Sequence, residues 1–314
     1  MISFNTVYTF IYLYIRQFIK WFLRKTTKLC ELQRICYGEP VGCLRSRGVE
    51  YSLSLSRDVN IKEMIKFLNK VTDERRMYGA TLKTALEKSI HIILLTKQIN
   101  PGIHKQFIQS FGRCIEHIWG YRQLFEEVEF SRTTQYNADN PEHEEKLLKL
   151  WNLLMPKIKL SGRVSKQWRD IGFQGDDPKT DFRGMGILGL DNLIYFAEEY
   201  PEAVNHVLSH SMHPKYGYAF AIVGINLTSM AYHLFKDGTA KTHVYNVSKS
   251  LPSMRIFHQF YCYLFYEFDK FWIEAKPSNV MEFTYIRDKF ESNIRTFFLN
   301  PHSVGRFNIK VDLI

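Results

Sequence analysis

The chain has 314 residues, 45% hydrophobic and 24% charged, which is enough apolar material for one large or two smaller folded domains and excludes a disordered chain. Its five cysteines, Cys30, Cys36, Cys43, Cys114 and Cys262, are odd in number and lack Cys-x-x-Cys or Cys/His spacing, so a disulfide framework and a zinc site are not expected and a reducing, cytoplasmic setting is. The net charge of +10 is uneven: residues 1–48 hold eight Lys/Arg against Glu31 and Glu39, and because they flank an apolar segment, the anion they point to is a membrane surface and not nucleic acid.

That apolar segment opens the chain. At 100° per residue, Asn5, Thr9, Arg16, Lys20 and Arg24 fall on one side and Phe, Ile, Leu, Tyr and Trp fill the remainder, so residues 1–25 read as an amphipathic helix. Phe10, Ile11, Phe18, Trp21 and Phe22, with Lys20 and Arg24 beside them, are its candidate membrane-facing residues. Arg16 and Lys20 interrupt the apolar run short of the roughly 20 residues that a spanning helix needs. No basic stretch precedes it and no small-residue cleavage site follows, as a secretory signal would require. Interfacial anchoring is expected, with a crossing helix and a helix packed on the protein's own core as the alternatives.

Residues 26–57 are poorly periodic and hold Gly38-Glu39-Pro40, Gly42, Gly48 and several serines, which reads as a linker. From residue 58 to about 300 the periodicity is helical. Helices are expected near 59–72, 80–97, 103–130, 141–155, 163–171, 182–199, 201–210, 216–236, 252–274 and 279–299, followed by a tail at 301–314. Asn140 before Pro141 is an N-cap with proline at the first helical position, and Glu142, Glu144 and Glu145 suit the first turns. Strand-like alternation is nearly absent, and the run Ala219–Ile225 continues into Leu227, Met230 and Leu234 at helical spacing. The expected fold is therefore all-α, a single multi-helix domain preceded by an amphipathic helix. The aromatic run Phe257–Trp272 is spaced for core packing, with Glu267, Asp269 and Lys270 as its wet edge.

One stretch, Trp168–Leu190, departs from this pattern. Gly172 and Gly175 permit backbone conformations closed to other residues, Asp176-Asp177-Pro178 is turn chemistry, and Thr180 or Asp181 is placed to cap a helix starting near Phe182. Arg183 would then sit in a first helical turn, where the dipole disfavours a cation by a few tenths of a kcal/mol or more. A neighbouring aspartate or an arriving anion must offset that cost. Other chemistry fails on spacing. Pro178 stands where a phosphate loop needs glycine before Lys179-Thr180, and Asp176, Asp177 and Asp181 lack the spacing of a calcium loop. His206, His210 and His213 have neither a His-Glu-x-x-His pattern nor a nearby cysteine, so no metal site is expected. No Gly-x-Ser-x-Gly occurs, and Cys114 and Cys262 lie in hydrophobic helices.

Trp168, Ile171–Gly175, Asp177-Pro178, Thr180–Gly184 and Gly186–Leu190 together resemble the signature of the ELMO (engulfment and cell motility) domain. Cys30–Arg34, Asp139–Glu145, Tyr218–Leu227 and Phe257–Trp272 are similar to the small members made of this domain and an N-terminal extension. The resemblance implies a GTPase-activating protein for Arf and Arf-like small GTPases, an enzyme activator without an autonomous catalytic site. The arginine of the Asp-Phe-Arg-Gly element, here Arg183, would act in trans on bound GTP. GTP and Mg would be carried by the partner, so no cofactor is expected in this chain.

Around Arg183, Asp177 and Asp181 would orient it or cap its helix, Gln174 would bond the partner's switch region, Gly184 and Gly186 would let the partner's backbone come close, and Trp168 would pack beneath with Phe182. A salt bridge from Arg183 to a neighbouring aspartate is the competing assignment for that residue. The competing assignment for the whole chain is a non-catalytic scaffold binding small GTPases or exchange factors at a membrane surface. Either way the expected location is cytoplasmic and peripheral on an intracellular membrane.

Overall fold

The computed structural model describes residues 4–306, with side chains from Ile15 onward. Every regular element in it is helical: α1 Phe4–Thr27, α2 Glu31–Gly38, α3 Cys43–Ser54, α4 Val59–Asp73, α5 Gly79–Lys97, α6 Lys105–Thr133, α7 Pro141–Leu154, α8 Gly186–Glu199, α9 Pro201–Ser211, α10 Phe220–Lys236, α11 Lys241–Val247, α12 Met254–Ala275 and α13 Phe283–Phe297, with short 3-10 helices at Lys166–Ile171, Pro178–Arg183 and Val280–Glu282. The fold is all-α, as the periodicity implies. By its contacts the chain groups into two compact units, Met1–Arg122 with Ser248–Leu251, and Gln123–Val247 with Pro252–Ile314.

In the first unit the expected linker at 26–57 is replaced by α2 and α3. These helices escape a periodicity search because α3 turns Cys43, Ser46 and Ser52 into the core alongside Val49 and Leu53, and serines in a segment with glycines read as loop. Asp58 caps α4 by accepting from Asn60 N and Ile61 N at 2.9 and 3.2 Å. α2 packs on α3 and α4 on α5, burying Leu32, Cys36, Ile61, Met64, Leu68 and Ile93.

α1 belongs to this unit, and its faces are disposed contrary to the expectation for Lys20 and Arg24. Arg16 Nη2 and Lys20 Nζ converge on the two carboxylate oxygens of Glu31 at 2.8 and 2.5 Å, and Arg24 Nη2 donates to Lys97 O at 3.0 Å. Arg16 and Lys20 are thus turned to the protein, while Arg24 stays exposed with its Nη2 bonded to it. Phe18 and Trp21 are 64% and 58% exposed, and Ile15, Ile19 and Phe22 are exposed with them. The side chains of Phe10 and Ile11 lie outside the described residues. No helix among the described residues is long and apolar enough to cross a membrane.

The second unit is built on α8, which packs against α7, α9, α10 and α12. Its sequence is apolar around most of its circumference, the signature of a helix enclosed on all sides, and ten of its residues, Gly186 to Ala197, are buried. Asn140 caps α7 as expected, accepting from Glu142 N at 3.0 Å with Pro141 at the first position. The aromatic run on α12 is core, with Phe257, Phe260, Tyr261, Phe265, Phe268 and Trp272 buried. Asp269 is buried with them, not at a wet edge. Residues 301–306 are packed instead of trailing: Asn246 Nδ2 donates to Pro301 O and Ser303 O, and Gly305 N donates to His243 Nδ1.

Candidate functional site

The stretch 161–190 forms a single scaffold around two 3-10 helices, both in the second unit. The first, Lys166–Ile171, is capped by Ser165, whose Oγ accepts from Gln167 N at 3.2 Å. It ends on Gly172 at φ +84°, where a Cβ would collide with the backbone of Ala219 and Phe220. Only glycine meets both conditions. The second, Pro178–Arg183, is capped by Asp177, whose Oδ1 accepts from Lys179 N at 3.1 Å.

Beneath both runs a chain of rings. Trp151 meets Trp168 edge-on at 5.4 Å, Trp168 meets Phe173 at 5.6 Å, Phe173 meets Phe182 at 5.7 Å, and Phe182 lies 5.5 Å from Tyr136. Trp151, Trp168 and Phe182 are fully buried, and both indole N–H groups donate to carbonyls, Trp151 to Ile158 O and Trp168 to Arg163 O, each at 2.7 Å. Edge-to-face rings with satisfied polar atoms give a stiff base. Trp168 therefore supports the loop from below and is not itself at the surface.

The acidic residues of the loop are already engaged. Asp177 accepts a two-pronged bond from Arg163, at 2.8 and 3.1 Å, and Arg163 is also 3.5 Å from Glu144. Burial pushes the Asp177 carboxyl up, but the Arg163 fork, the Lys179 N–H and the two cationic charges together hold it below its ordinary value. Asp176 pairs with Arg169 at 2.9 Å. Asp181 Oδ2 accepts from Gln174 N at 3.0 Å, tying the two halves of the loop, and burial outweighs its hydrogen bonds and the Arg183 charge to raise its pKa.

Arg183 is exposed and makes no hydrogen bond or ion pair among the described residues. The competing salt bridge to a neighbouring aspartate is absent: Asp176, Asp177 and Asp181 bond other groups, and Arg183 acts on Asp181 only through its charge. The expected first-turn placement is also corrected. The α-helix begins at Gly186, not near Phe182, and Arg183 closes a 3-10 turn, so the cost of a cation in a first helical turn does not arise.

Gln174 and Gly184 are exposed on the same loop, and a Cβ at Gly184 would meet nothing within 4 Å. Gly186 is different. It is buried at φ +54° against the Arg132 and Thr134 carbonyls, and Ile187 N donates to Thr134 O at 2.8 Å. Its role is to seat α8 on the end of α6, not to admit a partner. Sequence reasoning missed Arg163, which clamps Asp177, and Glu144 beside it; a pair 14 residues apart across a 3-10 helix carries no periodic signal.

His206, His210 and Asp269 come together, with one ligand atom from each lying within 4.8 Å of the others. His210 Nδ1 is 2.7 Å from Asp269 Oδ2, and Tyr218 donates to Oδ1 at 2.6 Å, so both oxygens of this buried carboxylate are satisfied by protein groups. His213 stands apart, its Nδ1 accepting from Lys215 N and Tyr216 N.

The ELMO/CED-12 family matches residues 126–287, a span containing the whole loop and its ring base. The chain is 48% identical over 287 residues to ELMO domain-containing protein 2 of Homo sapiens, covering 91% of this chain and 93% of that protein. It is 45% identical over 300 residues to ELMO domain-containing protein 1 of Mus musculus, covering 90% and 88%. It is 34% identical over 277 residues to ELMO domain-containing protein B of Dictyostelium discoideum, covering 88% and 92%. Taken with the loop geometry, these matches establish that the chain belongs to the ELMO/CED-12 family.

Proposed function

We propose that this protein is a GTPase-activating protein for Arf-family or Arf-like small GTPases and that Arg183 is the group it inserts into the partner's site. The observation that carries the reading is an exposed guanidinium, unpaired among the described residues, on a loop where Asp176, Asp177 and Asp181 are engaged elsewhere and whose base is a buried ring stack. A cation held this way enters a phosphoryl-transfer site without first breaking a bond at home. There it offsets the negative charge that spreads over the γ-phosphoryl oxygens, an effect of roughly 10³ to 10⁵ in rate, or about 4 to 7 kcal/mol of barrier. GTP and Mg belong to the partner. Gln174 and the open backbone at Gly184 flank the arginine as contact points, and Asp177 and Asp181 hold the loop in shape.

Recruitment to a peripheral position on an intracellular membrane through α1 completes the reading, carried by the outward aromatic face at Phe18, Trp21 and Phe22. The test is GTP hydrolysis on a panel of purified Arf-family GTPases with wild type, Arg183→Ala and Arg183→Lys. Stimulation is expected for at least one member and is lost in both variants, because lysine lacks the planar fork. Binding without stimulation transfers the reading to a non-catalytic scaffold, and stimulation undiminished in both variants removes Arg183 from the mechanism.

A further inference from the structure

Beside α1 the first unit contains a basic cleft made of two adjoining cavities that share Lys20, Ser56 and Lys97. The larger, about 410 Å³, is lined by Arg16, Gln17 and Lys20 of α1, by Leu55–Asp58 between α3 and α4, and by Lys97 at the end of α5. Its charges are unevenly met. Arg16 and Lys20 share the single carboxylate of Glu31. Asp58, the one acidic residue on the wall, spends Oδ1 on the cap of α4. Arg57 and Lys97 have no ion pair among the described residues, and Arg57 donates only to the Gln17 amide oxygen, at 3.2 Å from both Nη atoms in the amide orientation these bonds require.

Five cations gathered from three segments, Arg16, Lys20, Arg24, Arg57 and Lys97, face the two carboxylates of Glu31 and Asp58, and this positive excess makes a receptor for an anion. The location narrows the choice of anion. The smaller cavity, about 230 Å³, has Trp21 in its wall, and Trp21 belongs to the exposed apolar face of α1. On a helical wheel Gln17, Lys20, Trp21 and Arg24 run down one flank, so the cleft borders the face that would enter acyl chains, with an indole at the boundary where amphipathic rings settle.

We infer that this cleft binds the phosphorylated headgroup of an anionic phospholipid whose acyl chains lie against the outer face of α1, with Arg57 and Lys97 as the specificity-determining cations. The inference rests on the membrane reading of α1 and extends it from general adsorption to a defined headgroup site. It also alters what the N-terminal charge does: Arg16, Lys20 and Arg24 dock the helix, and two cations beyond residue 48 recognise the lipid.

The experiment is co-flotation of the full chain with phosphatidylcholine vesicles, alone or with a fraction of phosphatidylserine or of a phosphatidylinositol phosphate at matched total charge. Variants are Arg57→Gln with Lys97→Gln, and as a charge-loss control Lys62→Gln with Lys83→Gln on exposed positions of α4 and α5 outside the cleft. Wild type is expected to bind neutral vesicles weakly and the phosphorylated-headgroup vesicles on the order of 10- to 30-fold better. The cleft variant loses that increment and keeps neutral binding and its unfolding temperature, and the control keeps most of the increment. Equal loss in the two variants, or no increment in wild type, overturns the headgroup site while leaving α1 insertion standing. No binding to any vesicle removes the membrane reading and the site with it. Soluble inositol phosphate that binds as tightly as the vesicles do identifies a free phosphate as the ligand and overturns the lipid source.

Discussion

Arg183 is available because its neighbours are occupied, and that arrangement separates folding from function residue by residue. Arg183→Ala removes an exposed side chain with no partner, so the unfolding free energy should stay within about 0.5 kcal/mol of wild type. Asp177→Ala removes the acceptor that caps Pro178–Arg183 and strands Arg163, at a cost of about 1–2 kcal/mol. Urea denaturation of the two variants decides this, and equal losses would mean that Arg183 is structural.

The two glycines flanking Met185 divide in the same way. Gly186→Ala places a methyl group against the Arg132 and Thr134 carbonyls at positive φ and should cost at least about 1–3 kcal/mol. Gly184→Ala, at φ −80° with open space around it, should fold normally and lose only GTPase stimulation. A Gly184→Ala protein that stimulates at the wild-type rate would remove that position from the contact surface. The exposed arginine is legible in the chain because a short glycine-and-aspartate run around a cation is unusual; its freedom is not, since that depends on Arg163 reaching Asp177 across the 3-10 helix Lys166–Ile171.

At the scale of elements, α1 illustrates what a hydrophobic pattern leaves open. The pattern identifies two faces, and it does not say which one the protein keeps. Glu31 decides that by gathering Arg16, Lys20 and the Ser52 hydroxyl, which donates at 2.5 Å. Burial pushes its carboxyl up, but these donors and charges outweigh it and hold the pKa below the ordinary value. Glu31→Gln should loosen α1 by about 1 kcal/mol, raising amide exchange over residues 15–27 severalfold without changing exchange in α4. Unchanged exchange there would show that apolar contacts alone seat the helix. The same limit explains the missed α2 and α3. Their buried positions include Cys36, Cys43, Ser46 and Ser52, small residues that pack tightly yet carry almost no hydrophobic signal. α7 and α12 were legible because their caps and large side chains announce themselves.

For the whole molecule, helical class is legible and the division into units is not, because the boundary falls between Arg122 and Gln123 inside the unbroken helix α6, where no proline or turn marks it. Both units nonetheless carry histidines held neutral by burial, His117 in the first and His243 and His258 in the second, His258 lowered to about 4, and these contribute to the response to acid. In the first unit His117 accepts from Ser46 Oγ at 2.9 Å through Nδ1 and donates from Nε2 to Ser248 O at 3.1 Å. Burial, with Arg113 nearby, lowers its pKa to about 4 against the Ser248 bond. In the second, His243 Nδ1 accepts from Gly305 N at 3.2 Å, which requires an unprotonated nitrogen, and burial with the Arg306 charge lowers its pKa to about 3.

All three shifts are depressions, so above an unfolded-state pKa of about 6.5 none costs stability. Below it the unfolded chain binds protons that the folded chain refuses, and stability falls by about 1.4 kcal/mol per pH unit for each histidine until its folded pKa is reached. Urea unfolding between pH 7.5 and 4.5 should therefore be flat above about 6.5 and steepen below it, before most carboxylates titrate. His243→Gln keeps an acceptor for Gly305 and removes the titration, so it should lessen the slope while leaving the pH 7.5 value less affected. A slope unchanged in that variant would place the acid sensitivity elsewhere.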